Sequence, residues 1–181
     1  MKKRVSLLLI AVLTITVSLA FADGFRNLRA NLSGFNETPA AISTGASGRF
    51  IARINDNDTI TWALSYTNLE GAVQQAHIHL GRRGTTGGIS VFLCTNLGNG
   101  PAGTQPCPDP PATISGTIAA ADVSPNIPAT AGARAQGLNT GEFAELVRAI
   151  RAGATYANVH SSTWPSGEIR DQIRHSEGNH D

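Results

Sequence analysis

The residues best suited to chemistry are His77 and His79 in Ala76-His77-Ile78-His79-Leu80-Gly81, with His160 at the end of Tyr156-Ala157-Asn158-Val159-His160. Neutral imidazole is a good ligand for copper, zinc and related ions. If both stretches are β-strands, alternation sets His77 and His79 on one face and Ala76, Ile78 and Leu80 on the other. It likewise groups Tyr156, Asn158 and His160 opposite Ala157 and Val159. Two histidines at i and i+2 stand roughly 6.5–7 Å apart along a strand, near enough for both rings to tilt onto one ion at about 2 Å from each nitrogen. A third histidine from a second strand would complete an open site, with ring nitrogens within about 5 Å of one another. The competing reading is that all three are polar residues on the outer face of a sheet. Because that face is expected to point outward, His79→Ala should weaken metal binding about 10-fold or more while hardly changing the metal-free protein's stability.

Other chemistries find little support. The sequence has no Gly-x-Ser-x-Gly elbow and no glycine-rich phosphate loop. Lys2, Lys3 and Arg4 precede an apolar run from Val5 to Leu19 and a small-x-small site at Ala20-Phe21-Ala22, which reads as a signal peptide over 1–22 and a secreted or periplasmic chain. The run is short for an uncleaved anchor, so no membrane association is expected after cleavage. About 159 of the 181 residues then remain, enough for one domain. Over residues 23–181, eleven arginines face thirteen acidic residues, a net charge of −2 with no lysine, which gives no reason to expect a nucleic-acid partner. Arg82 and Arg83 read as a solvated turn. The two cysteines, Cys94 and Cys107, bracket a Gly- and Pro-rich segment, and in an exported chain a disulfide between them is the natural reading. Sequons at Asn31, Asn36 and Asn57 matter only if a eukaryote exports the chain.

The elements that must position the histidines are short and alternating. Strands are expected at Arg26 to Gly34, Gly48 to Ile54, Thr59 to Thr67, around His77, Ile89 to Leu93, Ala112 to Ala119, around His160, and Glu168 to Ile173. Asn55 to Asp58 should form a hairpin turn, and Trp62 should anchor the core. Asp122 to Gly137 shows no period and reads as a long loop. Thr140 to Gly153 is the exception: Phe143, Leu146, Val147 and Ile150 recur at helical spacing, with Thr140 as a cap, Glu142 in the first turn and Gly153 at the end. The polar stretch from His175 is expected to fray, leaving an ordered domain over 23–175 and a disordered tail over 176–181. About eight strands, one short amphipathic helix and no strand–helix alternation indicate an all-β antiparallel sandwich or barrel.

At Ala76-His-Ile-His-Leu-Gly81, Gly153-Ala-Thr-Tyr-Ala-Asn-Val-His160 and Trp164-Pro-Ser-Gly-Glu-Ile-Arg170, the sequence resembles the CHRD domain named from chordin and found in many exported bacterial proteins. The resemblance runs from about Asn27 to Arg174 and implies an immunoglobulin-like β-barrel of poorly defined biochemical role. A more distant likeness links the His-x-His strand and later histidine to the copper site of copper/zinc superoxide dismutases. No histidine lies between His79 and His160, however, so the metal-bridging histidine and the zinc ligands of that pattern have no counterparts. Three functions follow as expectations. One is a binding module holding copper or zinc through His77, His79 and His160, with an extracellular protein as a further partner; another is a dismutase-like redox enzyme; the third is a metal-free structural or adhesive domain. Tyr156, Asn158, Glu168 and Arg170 are expected to support the site or the fold, with no catalytic residue assigned and Arg170 bracing a carboxylate or carbonyls nearby.

Overall fold

The structure, a computed structural model, describes residues 26–176, so the expected signal segment and all but the first residue of the expected tail lie outside them. Among the described residues, nine strands form one antiparallel sheet: β1 (Asn27–Ser33), β2 (Ser47–Ile54), β3 (Ile60–Thr67), β4 (Val73–Leu80), β5 (Gly88–Thr95), β6 (Ala112–Ile118), β7 (Thr155–Ser161), β8 (Ile169–Gln172) and β9 (Arg174–His175). They run in the order β5-β4-β7-β8-β1-β2-β3-β6, with β9 pairing to β1. The sheet curls into a nearly closed barrel around one apolar core. Alternation supplies that core: Leu28, Ala30 and Leu32 from β1, Phe50 from β2, and Ile60, Trp62, Leu64 and Tyr66 from β3 are all buried. The β2–β3 register runs from Ser47 opposite Thr67 to Ile54 opposite Ile60, closed by the 55–59 turn in which Asp58 takes a positive φ of 52°.

Three local expectations are corrected. Between 122 and 137 the chain is not all loop: a short helix α1 (Ala131–Ala135) packs on β5. It approaches so closely that a Cβ on Gly88 would lie 2.0 Å from the Ala133 nitrogen, so only glycine fits there. The amphipathic helix α2 (Phe143–Arg151) buries Phe143, Leu146, Val147 and Ile150, but Thr140 does not cap it. The Thr140 hydroxyl instead donates to the Ser124 carbonyl at 2.7 Å, and the Glu142 carboxylate accepts from the Asn139 backbone N–H at 2.7 Å. His175 does not fray, since it pairs with Leu28 in β9, and the Ser176 N–H donates to the Asn27 carbonyl at 2.9 Å.

The two free edges, β5 and β6, are joined by the segment that the cysteines bracket. Cys94 and Cys107 are linked, with Cα atoms 5.1 Å apart, and both are buried in the apolar cluster. The Thr95 N–H donates to the Gln105 carbonyl at 3.0 Å, and the Gln105 Nε2 donates to the Leu93 carbonyl on β5 (3.1 Å) and the Ser115 carbonyl on β6 (3.2 Å). The disulfide therefore holds a plug in the barrel's seam, where the exposed backbone groups of an edge would otherwise stand. Replacing both cysteines by alanine should cost about 3 kcal/mol, the chain-entropy value for a loop of this length, and lower Tm by roughly 6–12 °C. Hydrogen exchange should show the loss of protection concentrated at 93–108 and the facing carbonyls of β6. Uniform loss across β1, β2 and β3 would show that the bond instead holds the core.

Candidate metal centre

His77 and His79 lie on β4, which pairs on one side with β5 and on the other with β7, the strand of His160. In the β4–β7 register His160 faces Gln75, Asn158 faces His77 and Tyr156 faces His79, so all three imidazoles and Asn158 and Tyr156 occupy one face. Ala76, Ile78, Ala157 and Val159 fill the core on the opposite face. The structure brings His77, His79 and His160 together, each offering a ring nitrogen within 4.8 Å of the others. The His77 Nδ1 lies 3.3 Å from the His160 Nε2.

The face is not an outer one, and this corrects the sequence reading. His77 is fully buried, and His79 and His160 are 7% and 5% exposed. Alternation does separate the imidazole side from the core side, but a second layer covers the imidazoles. Phe92 of β5 sets its ring edge-on to His77 with centroids 4.4 Å apart. Loops at 34–39, 81–87 and 162–167 supply the rest of the roof. Removing the His79 ring would therefore leave a cavity and a bare Gly87 carbonyl, and His79→Ala is expected to destabilise even the metal-free protein.

Backbone carbonyls orient two of the rings. The Nδ1 of His79 donates to the Gly87 carbonyl at 2.9 Å, and the Nδ1 of His160 donates to the Pro165 carbonyl at 3.1 Å. With the proton held on Nδ1, each Nε2 carries a lone pair directed into the site, the tautomer a metal ligand needs. In the metal-free chain the His77 Nδ1–H then donates to the His160 Nε2. The buried Nε2 atoms of His77 and His79 have no hydrogen-bond partner. Desolvation by burial, reinforced by neighbouring imidazoles, lowers the His79 pKa to about 3; burial lowers that of His160 to about 4, and that of His77 falls well below the ordinary value. All three rings are neutral near pH 7.

The surrounding residues form a braced stack. The Tyr156 ring lies parallel to the His79 ring with centroids 4.7 Å apart, and the Arg170 guanidinium sits over the Tyr156 ring at 3.6 Å. Arg170 also donates to the Thr38 hydroxyl at 2.6 Å and the Thr85 carbonyl at 3.0 Å, so one side chain ties β8 to two of the roof loops. Asn158 donates to the Glu37 carboxylate at 2.7 Å and to the Ile169 carbonyl at 2.9 Å. Burial raises the Glu37 pKa to about 7 against the opposing effects of the Asn158 hydrogen bond and the Arg170 charge. Gly167, at φ 131°, leaves room here: a Cβ would come within 2.8 Å of the Asn158 amide and 3.0 Å of the Glu37 carboxylate. Glu168 points elsewhere, accepting from the Thr44 hydroxyl at 2.8 Å and the Glu70 N–H at 2.9 Å. Glu37, Thr38, Gly87 and Phe92 were not singled out by sequence, and Pro165 stood out only as part of a family motif; apart from Phe92 they lie in loops without periodicity, where no pattern marks a side chain as facing a site.

Acid should unfold the metal-free protein through this cluster. Unfolded histidines protonate near 6.5 and the folded ones only near 4 and 3, so the unfolded chain binds more protons in between. Stability is full above about pH 6.5 and falls below it, by on the order of 1.4 kcal/mol per pH unit for each proton. Glu37 works oppositely: its raised value makes the folded state hold an extra proton between 4.5 and 7, a contribution lost as pH rises through that window. One carboxyl offsets part of the effect of three histidines down to pH 4.5, and below that the loss should steepen. Urea unfolding at pH 7, 5 and 4 measures this, with His160→Gln reducing the slope by about one proton's worth. A stability independent of pH over that range would contradict the assignment of neutral buried rings.

Among the described residues, no other group of three or more His, Cys, Asp or Glu side chains is close enough to share an ion. No curated protein and no solved structure matches the chain. A family model for the CHRD domain matches residues 28–173, from the first core leucine of β1 to just past β8, and takes in the three clustered histidines and both cysteines. The chain belongs to the CHRD domain family.

Proposed function

We propose that this CHRD domain is an exported binding module that holds one copper or zinc ion through His79 Nε2, His160 Nε2 and one nitrogen of His77. The observation that carries the reading is the conjunction of three buried imidazoles converging within 4.8 Å with carbonyls that fix two of them in the ligating tautomer. Buried polar atoms normally find partners, and here two ring nitrogens have none. Three neutral imidazoles with neither thiolate nor carboxylate among them suit copper or zinc, and three protein ligands leave a further coordination position open. The Arg170–Tyr156–His79 stack and the Asn158–Glu37 pair hold the site's wall and roof in place. Export fits the disulfide, because such bonds persist in oxidising compartments.

Metal analysis of protein purified without an affinity metal should find close to one equivalent of copper or zinc, or an apoprotein that takes up one equivalent on titration. His79→Gln and His160→Gln should each weaken binding by about 10-fold or more, while Cys94→Ala/Cys107→Ala should leave it nearly unchanged. Absence of stoichiometric binding by the folded wild type would overturn the reading. A superoxide assay on the copper-loaded protein separates a binding role from a redox one, and no activity above that of free copper is expected.

A further inference from the structure

A second polar surface involves none of the histidine site's residues. On the solvent face of β1, β2 and β3, Arg29 stands opposite the exposed Ile51, and Arg49 and Arg53 flank Ile51 two positions away on either side. The outer two are therefore about 13 Å apart along β2. Arg174 of β9 pairs directly with Arg29 on its other side. Like charges side by side on one sheet face oppose folding, so such a cluster calls for neutralisation. The carboxylates nearby are engaged: Asp171 pairs with Arg174 at 2.8 Å and Asp56 with Arg26 at 2.5 Å. Among the described residues, no carboxylate lies within ion-pair distance of Arg29 or Arg49.

The same face is shallowly indented. Two shallow open grooves of about 420 Å³ each share Arg49 as a common wall. One is lined by Arg29, Ile51, Arg53 and Thr61, the other by Ser47, Ser65, Thr67 and Thr113. Cationic forks thus sit at one end of a trough and small hydroxyls at the other. We propose that this face binds an acidic polysaccharide, a linear chain bearing carboxylate or sulfate groups, with Arg29 and Arg49 as its principal contacts. Guanidinium groups bind carboxylate and sulfate bidentately, and rows of Ser and Thr hydroxyls match the hydroxyls of a sugar chain. Other polyanions fit less well. Trp62 is buried and offers no platform for base stacking, and Ile51 alone is too little apolar surface for a membrane or for the hydrophobic anchors of a peptide. The surface is a sheet face, so it cannot extend a peptide by strand pairing.

Binding of size-fractionated polygalacturonate and dextran sulfate, with neutral dextran, poly-glutamate and phosphatidylglycerol vesicles as comparisons, tests the proposal. At low salt the wild type should bind at least one of the two acidic polysaccharides, bind neutral dextran negligibly, and lose affinity as salt is added. Arg29→Ser/Arg49→Ser should bind about 10-fold or more weakly with a Tm no lower than that of the wild type, since both side chains are exposed and their removal relieves like-charge repulsion, whereas Arg148→Ser on the helix should bind like wild type. The proposal is overturned if neither acidic polysaccharide binds, if the double variant binds as well as wild type, or if poly-glutamate or the vesicles bind more tightly than both.

Discussion

Three imidazoles buried together are a costly arrangement, and much of the surrounding structure follows from it. Burial strips water from six ring nitrogens, and each must find a partner or remain unsatisfied. Gly87 and Pro165 carbonyls satisfy one nitrogen on each of two rings, and the His77–His160 contact satisfies another pair. What is left, two unpartnered Nε2 atoms, lies in the middle of the cluster. A purely structural cluster would gain by substituting apolar side chains, which pack without this cost. A cation in the middle would turn the same geometry into a stabilising one, because free energy of metal binding adds to that of folding.

The roof over the site explains why β4 and β7 are buried on both faces, although they belong to an antiparallel sheet, where one face usually meets water. Arg170 links β8 to the 34–39 and 81–87 loops, and its guanidinium closes a stack that ends on the His79 ring. Gly167 permits the Asn158 and Glu37 side chains to meet beneath it. Rigid strands thus carry the ligands, and loops supply the carbonyls that orient them. On the far side of the β1–β2–β3 ribbon the outward residues are instead arginines and small hydroxyls, a solvated surface of different chemistry.

Much of this was legible in the sequence, for identifiable reasons. Period-2 alternation in Ala76 to Leu80 and in Tyr156 to His160 fixed which residues share the histidine face, and the same signal in β1, β2 and β3 gave the core from Leu28 to Tyr66. Alternation says nothing about what lies above a face, and so the histidines were read as outward-facing while the structure buries them. The covering atoms come from the Phe92 ring and from loops that carry the Gly87 and Pro165 carbonyls and the Glu37 and Thr38 side chains, and the path of those loops depends on tertiary contacts. The helix α1 was missed because Ala131 to Ala135 is too short to display a 3.6-residue period, and its position depends on the absence of a side chain at Gly88. Thr140 matched a capping pattern, yet its hydroxyl found the Ser124 carbonyl 16 residues away, a tertiary contact that no local rule anticipates.

X-ray absorption on protein loaded with one equivalent of copper tests the central claim most directly, because it counts ligands by type. The predicted spectrum shows nitrogen scatterers at about 2.0 Å with the outer-shell pattern of three imidazoles and no sulfur, reduced to two imidazoles in His160→Gln. A spectrum with fewer than two imidazoles, with sulfur in the inner shell, or unchanged by His160→Gln would contradict it.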